Sequence, residues 1–226
     1  MKINTAEWQK SRADVFWSKF APCDHVVQIY DNESVLIDAL SGFVGSGINS
    51  GDSCIIIATE THRNALETRL KDYGVHVDNL ISEKRYFPLD AQETLNNFMV
   101  NGIVDKKQFE FTIGDVLTKA KRNNRKVRAF GEMVGLLLAE GNHEATIALE
   151  RLWDEFCEKH ALSLLCAYSK ALFTKEDSDT LNHICCSHSK MISGSVNQLK
   201  EVSYCEMAKV SGTPLILQNA YLNGGL

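Results

Sequence analysis

The side chains best suited to chemistry sit at or near the ends of short apolar runs. His25 opens the run HVVQIY and Tyr30 closes it, with Asp31-Asn32-Glu33 immediately after. Thr59-Glu60-Thr61-His62 follows CIIIA, and Arg128 lies inside VRAFGEM just before Glu132. Cys166 and Tyr168 belong to SLLCAY, and His188 ends the cluster HICCSH. Carboxylate, imidazole, phenol and thiol groups can hydrogen-bond a polar ligand, move a proton or hold a metal. The same acids and Asn also cap helices, where the helix dipole favours them for purely structural reasons.

Several specific chemistries fail on spacing. A phosphate cradle needs clustered glycines followed by Lys and Ser or Thr. The first junction, YDNESVLIDAL, has neither glycine nor lysine and places Asp31 and Glu33 where phosphates would sit. A divalent cation bridging those charges is the one way a triphosphate could still be held. The stretch GSGINSG (Gly45–Gly51) imitates a dinucleotide fingerprint, but it follows a helix and precedes a strand, the reverse of what that chemistry requires. It reads as a helix end and a turn. HICCSH offers zinc donors, yet His183, Cys185, Cys186 and His188 match no finger or ribbon spacing. An incidental cluster is the favoured reading, and no metal or cofactor is expected. No G-x-S-x-G elbow is present. Arg128 alternates within its strand and is expected to face a carboxylate such as Glu132.

Alternating elements must position these groups. Periodicity predicts a helix near 5–20, then strands at His25–Tyr30, Cys54–Ala58, Tyr86–Leu89, Val127–Phe130 and Ser163–Tyr168, with helices between them. Asp90 with Glu93 forms a capping box for a helix that carries Ala91, Leu95, Phe98 and Met99. Leu181–Ile192 is compatible with a helix. CIIIA and SLLCAY are nearly continuous apolar runs, the signature of parallel strands covered on both faces. The fold class expected is α/β: an open, mostly parallel sheet with helices on both faces, whose ligands bind beyond the carboxyl ends of the strands. The expected division is an N-terminal helix (1–22), a core domain (23–192), and an extension (193–226) that is either an added strand or a loose tail.

The 226 residues, with 44% hydrophobic and 23% charged, suit a globular chain with a real core. A formal charge of −5 argues against a general nucleic-acid binder. The basic run KAKRNNRKVR lacks interleaved aromatics and reads as a helix end. No apolar stretch is long enough to span a bilayer, and seven cysteines in mostly apolar surroundings read as reduced core thiols of a cytoplasmic protein.

Taken in order, His25 and Tyr30, FVGSGINSGDSCIIIAT, VRAFGEM, LCAYSK and the closing histidine of ICCSHSKMI resemble the MEDS domain, the sensory domain of methanogens, methylotrophs and the dichloromethane-response regulator. The resemblance covers about residues 25–188. It implies a degenerate RecA/KaiC-like core that senses a small molecule, such as a hydrocarbon derivative, and signals through a histidine kinase or regulator. On this reading Tyr30, Glu132 and Tyr168 line a pocket, Arg128 and His25 orient or balance charge, and Cys166 and His188 complete the ligand-binding set. Neither nucleic acid nor membrane is an expected partner. The apolar N-terminal helix, with Trp8, Phe16, Trp17 and Phe20, offers a homodimer contact or a cover for the sheet edge. The rival readings are a KaiC-like nucleotide-binding or ATPase domain with non-standard phosphate contacts, and a protein-interaction scaffold.

Overall fold

A computed structural model describes residues 21, 23–173, 178–195 and 198–203. The expected N-terminal helix and the terminal segment GTPLILQNAYLNGGL lie outside the described residues.

The apolar runs become strands β1 (His25–Tyr30), β2 (Ser53–Ala58), β3 (Tyr86–Asp90), β6 (Val127–Gly131) and β7 (Ser163–Ser169). Two further strands, β8 (Lys190–Ser195) and β9 (Gln198–Ser203), extend the sheet. The order is β3-β2-β6-β7-β1-β8-β9. The first six in that order are parallel to their neighbours, and β9 pairs antiparallel with β8. The expected α/β class with a mostly parallel sheet is therefore what forms.

Helices cover both faces because alternate strand residues point to opposite sides. One face takes Val27, Ile29, Ile55, Ile57, Ala129, Leu164, Cys166 and Tyr168. Against it pack α4 (Ala91–Asn96), α5 (Lys106–Ala120), α6 (Met133–Ala139) and α7 (His143–His160). The other face takes Val26, Tyr30, Cys54, Ile56, Ala58, Phe130, Leu165 and Ala167. Against it lie α1 (Glu33–Asn49), α2 (Glu60–Asp72) and α3 (Val77–Ser82). Trp153 of α7 anchors the first core, edge-on to Phe109 at 5.1 Å.

Local chemistry sets the helix starts that frame the strand ends. The Asn32 side chain accepts from Val35 N at 3.2 Å and caps α1; Thr59 caps α2. Asp90 accepts from Gln92 N and Glu93 N, both at 3.0 Å, as the expected cap of α4. GSGINSG is the end of α1 and a turn, with Gly51 at φ +82°. Gly47 has a second role: a Cβ there would fall 2.7 Å from Arg128 Cδ, so only glycine lets α1 pass over that side chain.

Two expectations are corrected. The helix from Asp90 does not reach Met99; it stops at Asn96, and a small hairpin follows, β4 (Met99–Val100) and β5 (Ile103–Val104). Asn101 and Gly102 both take positive φ there, the favoured pair for a two-residue hairpin turn. Leu181–Ile192 is not one helix. It divides into α8 (Ser178–Cys186) and β8, because Met191 and Ile192 alternate between the two cores as strand residues do. β8 lies parallel to β1 and runs past residue 192.

Candidate functional site

The residues singled out from the sequence separate into a cleft at the strand ends, a buried cluster inside one core, and a buried ion pair beside the start of β2.

At the carboxyl ends of the strands, Tyr30, Glu33, Thr59, Thr61, His62 and Glu132 border a cleft of about 340 Å³. Gly135, Leu136, Ala139, Ala167 and Leu172 give it an apolar wall, and Ser169 adds a polar group. His62 lies in the first turn of α2, where the Thr59 cap directs it back over β2. Its Nδ1 is 2.7 Å from Glu132 Oε1, and its Nε2 is 2.6 Å from Glu33 Oε2. Both ring nitrogens meet carboxylate oxygens, so both carry protons and the ring is an imidazolium. The bond to Glu132 raises the imidazole pKa to about 9, with Glu33 adding to the rise against the opposing effect of burial. Glu132 is held from its other oxygen by Thr59 N at 2.8 Å. Burial, helped by the charges of Glu132 and Glu33, pushes the Tyr30 phenol up to about 12, so it stays a neutral hydroxyl. Glu33 is the exposed arm of this relay, at 67% side-chain exposure, whereas Glu132 is buried. An imidazolium clamped between two carboxylates is neither a free base nor a nucleophile. It is a charged donor pair that can exchange one acceptor for another.

The second grouping lies in the core between the sheet and α7. His25 and Cys166 occupy adjacent strands and face α7 together with Tyr168. Glu150 comes from α7 and His188 from the turn between α8 and β8. One ligating atom from each of His25, Glu150, Cys166 and His188 lies within 4.8 Å of the others, and all four residues are buried. Glu150 Oε2 is 3.4 Å from His25 Nε2, 3.4 Å from His188 Nε2 and 3.7 Å from Cys166 Sγ. Its other oxygen accepts the Tyr168 hydroxyl. Burial alone would raise the Glu150 pKa, but His188, His25 and the Tyr168 bond together hold it below the usual carboxylate value. Burial and the charge of His25 push His188 down to about 4, so its ring is neutral at pH 7.

The third position holds Arg128. Its Nε donates to Asp52 Oδ2 at 2.9 Å and its guanidinium to the Phe43 carbonyl at 3.2 Å, with the Phe43 ring 5.5 Å away. Glu132 lies four positions further along the chain, roughly 13 Å at about 3.3 Å per residue. The partner of Arg128 is the acid before β2, and the expected orientation toward Glu132 is not what forms.

The sequence profile described as MEDS (MEthanogen/methylotroph, DcmR Sensory domain) matches residues 24–189. The chain belongs to the MEDS family. No curated protein matches it. Among solved structures it is similar to a KaiC-like protein from the hyperthermophilic archaeon Pyrococcus horikoshii OT3, with a TM-score of 0.55 and 11% identity over 82% of this chain and 84% of that one. A second protein of the same organism gives 0.51 at 12% identity, over 82% of this chain and 89% of its own. At these identities the likeness is one of fold, and it agrees with the RecA/KaiC-like architecture expected from the resemblance.

Within the MEDS segment, only Tyr30 and Glu132 of the anticipated pocket residues border the cleft. Tyr168 does not. Its neighbours Ala167 and Ser169 face the cleft, so by strand alternation Tyr168 turns into the opposite core and bonds Glu150. His25, Cys166 and His188 join it there. HICCSH does not act as a unit, since His183 is exposed while His188 is buried among other donors. Two residues of the relay, Glu33 and His62, are visible in the sequence as strand-end polar groups, but there the first-turn reading is the favoured one. Glu150 was missed altogether. Its signal is an acid bordering the arc of Leu149, Trp153 and Cys157, a position where a helix dips a side chain into the core.

Among the described residues, no helix is long and apolar enough to cross a membrane.

Proposed function

We propose that this MEDS domain is a non-enzymatic sensor in which a small oxygenated hydrocarbon occupies the strand-end cleft and displaces Glu33 from His62. The observation that carries the reading is the Glu33–His62–Glu132 relay standing where a related nucleotide-binding fold would need a phosphate cradle. Glu132 and Thr59 hold one side of the imidazolium, while the other side is closed only by an exposed carboxylate. A ligand carbonyl, hydroxyl or carboxylate oxygen can accept the Nε2 proton in its place. The apolar remainder of the ligand then lies on Leu136, Ala139, Ala167 and Leu172. Glu33 is the first residue of α1, so its release changes the start of that helix and provides an output. That output passes to a partner, a histidine kinase or a transcriptional regulator. The family's sensory description supports this reading.

The test is a thermal-shift screen of short alcohols, ketones and carboxylates, with MgATP and MgGTP in the same panel. A ligand at a hundred times its Kd stabilises by about 2.7 kcal/mol, a shift of several degrees for a domain this size. The wild-type protein is expected to respond to an oxygenated hydrocarbon, and Ala139→Trp, which fills the cleft from its rim, is expected not to. Equal responses from both proteins, or a response to nucleotides alone, would overturn the proposal; the latter would favour the KaiC-like alternative.

A further inference from the structure

We propose that His25, Glu150, Cys166 and His188 form a closed tetrahedral site for one divalent borderline metal ion, with Zn²⁺ the best match, separate from the strand-end cleft. The spacing is that of a ligand shell. Tetrahedral zinc with bonds of about 2.0–2.1 Å to N and O and about 2.3 Å to S has ligand-to-ligand edges of roughly 3.3–3.6 Å. All four atoms lie within 4.8 Å of one another, and four of the six edges are close to those of such a shell: 3.4 Å for His25 Nε2 to Cys166 Sγ and 3.4 Å for His25 Nε2 to Glu150 Oε2. His188 Nε2 to Glu150 Oε2 is 3.4 Å, and Cys166 Sγ to Glu150 Oε2 is 3.7 Å.

An independent observation points to a ligand. His188 Nε2 is buried and makes no hydrogen bond, a costly arrangement for an imidazole nitrogen inside a core. The reason lies on the other side of the ring, where His188 Nδ1 donates to the Ile184 carbonyl at 2.5 Å. That bond fixes the tautomer and leaves the Nε2 lone pair aimed into the cluster. His25 differs: its Nε2 faces inward to Cys166 Sγ, while its buried Nδ1 makes no hydrogen bond and has Asp154 Oδ1 3.5 Å away as a charge neighbour. The backbone carbonyl behind His188 is the usual outer support of a metal-bound imidazole, and Asp154 stands near enough to His25 Nδ1 to take that role once the ring is fixed by a metal. The Tyr168 hydroxyl supports Glu150 by bonding the oxygen that faces away from the shared position.

The charges also close. On binding, Cys166 and the charged His25 ring each give up a proton to solvent, so that Cys166 enters as a thiolate and His25 as a neutral imidazole. That thiolate and the Glu150 carboxylate together neutralise a divalent cation, so the loaded site is uncharged in a dry core. Two nitrogens, one sulfur and one oxygen favour Zn²⁺ over the hard cations Mg²⁺ and Ca²⁺. Four protein ligands leave no open position, which marks a structural centre. It joins β1, β7, α7 and the α8–β8 turn. The same turn is held by Ser189 N to the His25 carbonyl at 2.7 Å.

The experiment is elemental analysis of protein purified without chelator, followed by Co²⁺ titration of the metal-stripped wild-type chain. About one zinc per chain is expected, together with tetrahedral cobalt absorption and a thiolate-to-cobalt charge-transfer band. Cys166→Ala should abolish that band. Asp154→Asn, which alters only the support of His25, should weaken Co²⁺ affinity about 10–100-fold. His183→Gln, an exposed histidine of HICCSH, should change neither. Wild-type protein that shows no charge-transfer band and holds zinc only at background level overturns the proposal without recourse to any variant. So does loss of metal in His183→Gln with retention in Cys166→Ala. Neither result bears on ligand binding in the cleft.

Discussion

Replacing His62 with glutamine removes the imidazolium that Glu33 and Glu132 share, and the cost of doing so depends on pH in a defined direction. The His62 pKa is about 9 in the folded protein against 6.5 for an ordinary histidine. A pKa raised by folding stabilises the fold fully below pH 6.5, and that contribution fades as pH climbs through 9. At about 1.4 kcal/mol per tenfold change in proton affinity, the gap sets an upper bound of about 3 kcal/mol. Glu33 is two-thirds exposed, so solvent screening reduces the contribution to about 1–2 kcal/mol. Urea unfolding of wild type and His62→Gln at about pH 6 and about pH 9.5 measures it directly. The wild-type advantage should shrink by about 1–2 kcal/mol between the two conditions. NMR titration of the His62 ring should show a midpoint near 9. A wild-type advantage that stays constant with pH, or a ring that titrates near 6.5, would refute the clamped-imidazolium geometry.

Arg128→Met should cost about 3–5 kcal/mol because it strands the buried Asp52 charge; combining it with Asp52→Asn should cost less than the sum of the two, as denaturant unfolding of all three variants would show. Gly47→Ala brings a Cβ within 2.7 Å of Arg128 and should destabilise by about 1–3 kcal/mol in the same assay. Trp153→Ala empties the centre of one core and should cost about 3–5 kcal/mol, lowering Tm by several degrees. A thiol reagent near pH 8 should label exposed Cys23 rapidly and leave Cys54 and Cys157 untouched in native protein. Burial pushes the Cys54 thiol up to about 12 and Cys157 higher still; mass mapping of labelled peptides reads the outcome.

The sheet was legible because its strands are apolar runs of strand length bounded by turns. Every strand expected from the sequence between His25 and Tyr168 is present, with ends that differ by at most one residue. The β4–β5 hairpin was hidden because Phe98 and Met99 continue the apolar pattern of the preceding helix, and only Asn101-Gly102 betrays the turn. β8 was hidden by a mixed polar sequence that supports either period until Met191 and Ile192 are seen on opposite faces. The candidate residues were legible as types, not as partners. Strand alternation placed Tyr168 on the face away from the cleft, and that parity could have been read from Ala167 and Ser169. The pairing of Arg128 with Asp52 depends on the space above Gly47, which no periodicity reveals. Glu150 meets His25 and Cys166 only because α7 crosses the β1–β7 pair.

At the β1–α1 junction an acid–imidazolium relay stands in place of a phosphate cradle. Titration of the pure protein with MgATP and MgGTP, with turnover measured in parallel, tests that most directly. Neither binding heat nor phosphate release above the buffer blank is expected. Saturable nucleotide binding with turnover, both abolished by changing Asp31 and Glu33, would contradict it.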